Sequence, residues 1–95
     1  MREGIKADSI VRRNQEIVSA DLDGDTVVMS ISTEKYYHLG PTGGAIWSLI
    51  EKPVTVRAIV KSLTDQYEVG EERCLQETLT FLNEIYDQGL VEQEV

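Results

Sequence analysis

Apolar and polar residues alternate in one rhythm up to Gly40 and in another after it. Before that point apolar positions tend to recur at every second residue; beyond it they recur at every third and fourth. Val27, Met29 and Ile31 alternate with Val28, Ser30 and Ser32, the period of a half-buried strand. Ile17-Val18-Ser19-Ala20 and Ser9-Ile10-Val11-Arg12 are shorter strand candidates, and Lys35-Tyr36-Tyr37-His38-Leu39 is rich in the aromatic residues that strands favour. Asp23-Gly24 separates the Ile17 and Val27 segments, a strong hairpin signal because glycine tolerates positive φ. Ser32-Thr33-Glu34 offers a second tight turn. The first forty residues therefore predict a three-stranded antiparallel meander.

Gly40-Pro41-Thr42 ends the sheet, and Thr42 is a candidate helix cap, although Gly43 and Gly44 make a weak first turn. Ala45, Ile46, Leu49 and Ile50 form the stripe of a short helix, with Trp47 near its edge and Pro53 closing it. Thr55 is the next cap candidate, followed at helical spacing by Val56, Ile59, Val60, Leu63 and Tyr67. A third helix is expected from about residue 70 to residue 88. Glu71 and Glu72 fall in its first turn, Val69 and Cys74 stand in staple positions, and Gly89 follows as its C-terminal glycine. The order βββααα predicts a single α+β domain over residues 1–95, winged helix-turn-helix-like, with a three-stranded antiparallel sheet followed by three helices.

The charge balance narrows the function. Nine Lys and Arg stand against seventeen Asp and Glu, giving −8 at pH 7 and a pI near 4.5. Such a surface opposes contact with nucleic acid or an anionic membrane, both of which require cations to neutralise phosphate. Apolar runs never exceed three residues and no apolar stretch follows the first charges, so a cytoplasmic location is expected, without a spanning helix or secretory signal. Cys74 is the one cysteine, which excludes an intrachain disulfide and a multi-cysteine metal site.

Candidate chemistry is sparse. Asp21-Leu22-Asp23-Gly24-Asp25 alternates carboxylates like a calcium loop, yet its glycine falls at position 4 rather than 6, and Ser32 stands where a bidentate Glu is needed. It is read as a solvated hairpin tip. His38 and Cys74 lack the third, orienting group of a nucleophile–base pair, and a lone cysteine on an apolar helical row is packing. Asp8-Ser9-Ile10 resembles the attachment site of acyl carrier proteins, but strand-like residues follow where a helix should start. The helix-turn-helix pattern raises a winged-helix DNA-binding transcriptional regulator as the rival reading. Its third helix would present Glu71, Glu72, Glu77, Glu84 and Asp87 against Arg73 alone, which repels a major groove. No enzyme activity, metal or cofactor is expected.

What remains is a sheet edge and a helix. If the Tyr36–Leu39 strand is an edge, another chain can extend the sheet by main-chain hydrogen bonds. The third helix carries two apolar rows, one more than a single packing seam needs. Leu75, Leu79, Leu82 and Tyr86 are expected to line a groove beside the strand, with Cys74, Thr78, Phe81 and Ile85 facing the core.

The stretch Leu39-Gly40-Pro41-Thr42-Gly43-Gly44-Ala45-Ile46-Trp47, together with Tyr36-Tyr37-His38, Thr55-Val56, Phe81-Leu82-Asn83-Glu84-Ile85 and Gly89-Leu90, resembles the PqqD-like family. Its members are recognition elements for ribosomally made and post-translationally modified peptides (RiPPs). The resemblance extends from about residue 10 to residue 92, and Gly40 departs from the Asn of many members. The Pro-Thr-Gly and Trp make the chain look most like the stand-alone leader-binding proteins of split lasso-peptide pathways. The resemblance implies a precursor leader peptide docking as an extra strand against the third helix. Carried onto this sequence, the site falls on Lys35, Tyr36, Tyr37 and His38 and on Leu75, Leu79 and Leu82. It further implies a protein that performs no chemistry and presents the precursor to a separate cysteine protease, the leader peptidase, and to an ATP-dependent cyclase.

Overall fold

The computed structural model describes residues 3–94 and contains six strands and three helices. The strands are β1 (Ile10–Arg13), β2 (Ile17–Leu22), β3 (Asp25–Ser30), β4 (Tyr36–His38), β5 (Val54–Thr55) and β6 (Val91–Glu94). The helices are α1 (Gly40–Leu49), α2 (Val56–Gln66) and α3 (Glu71–Asp87). The strands form two antiparallel three-stranded sheets, β2-β3-β4 and β5-β1-β6. The first is the expected meander. The second corrects the expectation of one sheet: β1 joins strands that follow α1 and α3, and β5 and β6 carry too little alternation to be seen locally.

The meander's turns obey the backbone chemistry of their residues. Asp23 and Gly24 both hold positive φ, 51° and 83°, between the paired residues Leu22 and Asp25. That is the primed turn whose twist matches the flanking strands. Along β3 the buried side chains are Thr26, Val28 and Ser30, whereas Val27 and Met29 are half-buried on the other face. Small residues face inward here because α1 lies close: a Cβ on Gly44 would stand 2.4 Å from Thr26 Oγ1. Gly44, one of the two glycines that weaken α1 as a helix, is what lets it approach β3.

Helix α1 starts three residues earlier than a Thr42 cap predicts. Its N-cap is Leu39, without a side-chain cap, and Pro41 occupies the first turn. Asp25 of β3 takes over the capping role, its Oδ1 accepting the Gly40 N–H at 3.0 Å, which sets a carboxylate at the positive end of the helix. Thr55 caps α2 as expected, accepting from the Ala58 N–H at 3.2 Å, and Tyr67 lies just past that helix as its C-cap. α3 ends in a Schellman motif. Leu90 N–H donates to Ile85 O, Gly89 N–H donates to Tyr86 O, and Gly89 has φ 79°. The motif buries Leu90 and leads the chain into β6 at buried Val91.

One core joins these pieces, with Ile46, Trp47 and Ile50 of α1 against Ile59 and Leu63 of α2, Leu82 and Ile85 of α3, and Val11 and Val28 of the sheets. Trp47, expected at the helix edge, is buried. Arg13 of β1 stacks 4.8 Å over its ring and donates from Nε and Nη2 to the Trp47 carbonyl, closing the end of α1. Burial pulls that guanidinium below its ordinary pKa, with Glu51 acting the other way. Among the described residues no helix is long and apolar enough to cross a membrane.

Candidate functional site

β4 is one of the two outer strands of the meander, β2 being the other. Val28 pairs with Tyr37, Lys35 O accepts from Ser30 N–H at 3.0 Å, and Leu39 N–H donates to Thr26 O at 2.9 Å. Backbone direction alternates along an antiparallel strand, so the N–H and C=O groups of Tyr36 and His38 point away from β3. Side chains alternate as well. Tyr37 packs against the core, while Tyr36 is 68 % exposed and Lys35 and His38 are also exposed. The aromatic segment is a strand, as its composition predicts, and it lies at an edge of its sheet.

Asp25 makes this edge and the start of α1 into one piece. Its Oδ2 lies 2.8 Å from His38 Nδ1 while its Oδ1 holds Gly40. The hydrogen bond with His38, reinforced by the Gly40 N–H, keeps the Asp25 carboxyl below the usual carboxylate range. The sequence reading treats Asp25 only as part of a solvated turn. Its partners lie 13 and 15 residues on, so local pattern could not reveal them.

Immediately beyond β4 the chain runs into an apolar cavity of about 430 Å³, a volume typical of ligand pockets. Leu39, Gly43 and Ile46 line one side, Cys74, Thr78 and Phe81 of α3 the other, and Leu63, Tyr67 and Val69 the end. Gly43 lets the Phe81 ring of α3 and the Leu39 side chain pack directly on α1 at one wall of the cavity: a Cβ there would stand 2.9 Å from Phe81 Cε1 and 3.0 Å from Leu39 Cβ.

The predicted groove row needs correction at Leu82. Leu82 is fully buried in the core, and Phe81, expected inside, lines the cavity. The buried row of α3 is Cys74, Thr78, Leu82 and Ile85, so Cys74, Thr78 and Ile85 face the core as expected and only Phe81 and Leu82 exchange places. Leu75, Leu79 and Tyr86 are partly buried against the core but do not line the cavity. Their flank leads to Asn83, whose side chain bonds both the N–H and the C=O of Ile5. The N-terminal segment thus occupies the side of α3 that helical spacing assigns to the groove. Phe81 could have been recognised from Gly43, since a glycine early in a helix signals a close neighbour.

Comparisons with known proteins bear on the family and the fold. The pattern of the family described as Coenzyme PQQ synthesis protein D (PqqD) matches residues 25–91. A solved structure of TbiB1 in complex with the TbiA(beta) leader peptide superposes with a TM-score of 0.80 at 27 % identity, over 85 % of this chain and 94 % of that one. Lasso peptide synthetase B1 complexed with the leader peptide gives 0.77 at 20 % identity, over 86 % and 96 %. No curated protein matches the chain.

Proposed function

The chain belongs to the PqqD family, and from that premise we propose that it is a non-catalytic RiPP recognition element that captures the leader of a precursor peptide, as in lasso-peptide biosynthesis. The observation that carries this reading is the free edge of β4 running directly into the cavity beside Phe81. A leader segment adds a strand along Tyr36 and His38, with Lys35 and Tyr37 flanking the register. Its apolar side chains enter the cavity bounded by Leu39, Leu63, Val69 and Phe81, while Leu75 and Leu79 support α3 from behind. Leu82 contributes through the core. Main-chain bonds fix register and a few buried anchors supply most of the affinity.

Presentation follows from holding the leader. A separate leader peptidase and an ATP-dependent cyclase meet a precursor already tethered, so their steps become effectively intramolecular and moderate affinity suffices. We read the meander with the α2–α3 pair as winged-helix-like. The acidic face of α3 argues against the nucleic-acid-binding use of that arrangement, and the expected location is cytoplasmic.

The test is a titration of labelled protein with the cognate leader, followed by amide NMR. Saturable shifts on residues 35–43 and around Cys74, Thr78 and Phe81 are expected. Shifts confined to α2, or none, would overturn the proposal. A mobility shift with duplex DNA at low salt would favour the regulator instead.

A further inference from the structure

The mouth of the groove is acidic along α3. Glu77 borders both the apolar cavity and an adjoining shallow hollow of about 280 Å³, whose other walls are Gln76, Thr80, Phe81 and Glu84. Phe81 is common to the two, so the cavity continues across its side chain into the hollow. Residues four before and three after Phe81 share its helical face, which puts Glu77 and Glu84 at either end of it. Arg73 Nε donates to Glu77 Oε1 at 3.2 Å in an exposed pair, while Glu84 has no ion-pair partner among the described residues.

We propose that this hollow is a second subsite of the peptide groove, taking a Lys or Arg of the guest. Its stem lies along Phe81, its cationic head sits between Glu77 and Glu84, and a nearby apolar side chain fills the cavity. Long basic side chains suit such a place because their methylenes cover an apolar surface while the charge stays wet. The inference rests on reading the groove as a peptide site, and adds the chemistry of the segment selected: an apolar anchor next to a cation. A second copy of this chain is the poorer occupant, since it would bring seventeen carboxylates and only nine cations to an acidic rim.

Selection of phage-displayed random 12-residue peptides on the intact protein tests it. Enriched sequences should pair an aromatic or branched apolar residue with Lys or Arg within four positions. One enriched peptide, made synthetically, should bind Glu84→Gln about 2–5-fold more weakly than the parent at low salt, the span of a rim ion pair, with the difference vanishing near 0.5 M NaCl. Selection on Glu84→Lys should lose the basic preference and gain Asp or Glu, with circular dichroism confirming the fold of both variants. Enriched peptides without a basic preference, or a preference unchanged in Glu84→Lys, would overturn the subsite and leave peptide capture standing. Failure to enrich any peptide would count against both.

Discussion

Asp25 carries more of the architecture than its place in an acidic turn suggests. One carboxylate joins the exposed His38 ring, the Gly40 amide and, through them, the edge strand to α1. Because the folded state holds this carboxyl below its ordinary value of 3.8, the ionised form is favoured by folding. Its contribution is therefore complete above that pH and is lost as pH falls through the lower, folded value. We expect the Gly40 amide NMR signal to titrate with a midpoint below 3.8, and the transition to disappear in Asp25→Asn. A midpoint at or above 3.8 would contradict the arrangement. Gly44 makes a comparable point without charge. It faces Thr26 so closely that a methyl group has no room, which explains why α1 tolerates two glycines where helix propensity argues against them.

At the scale of elements, the sequence reading found α2, α3 and the meander because each carries its own periodicity, together with turn signals at Asp23-Gly24 and Gly89. It missed β6, since Val91-Glu92-Gln93-Glu94 has no alternating apolar face and becomes a strand only through pairing with β1. The exchange of Phe81 and Leu82 on α3 was hidden for a related reason. Spacing shows which residues share a row but not which row meets the sheet, and residues 81 and 82 both follow Thr78 at helical steps. Burial separates their roles. Leu82→Ala should cost about 2–5 kcal/mol in chemical denaturation, as truncation in a filled core does. Phe81→Ala should cost less stability but weaken leader binding by about tenfold or more in a direct titration. Equal stability losses with unchanged affinity would remove Phe81 from the groove.

Seen whole, the molecule divides its labour between its two sheets. The meander, with its open edge, is built from residues close together in sequence, whereas β5-β1-β6 gathers segments from three distant parts of the chain. That second sheet also clasps early and late residues: Ile10 pairs with Glu94, and the Gln93 side chain donates to the Glu3 carbonyl at 2.7 Å. Positions 3 and 93 are thus near neighbours, in a different sheet from β4. A circular permutant joining them by a short glycine-serine bridge and opened at the Asp23-Gly24 hairpin should fold and bind leader with affinity within about threefold of the parent, measured by calorimetry. The clasp brings the two ends of the described chain together like the leads of a plug, so that one short bridge can join them.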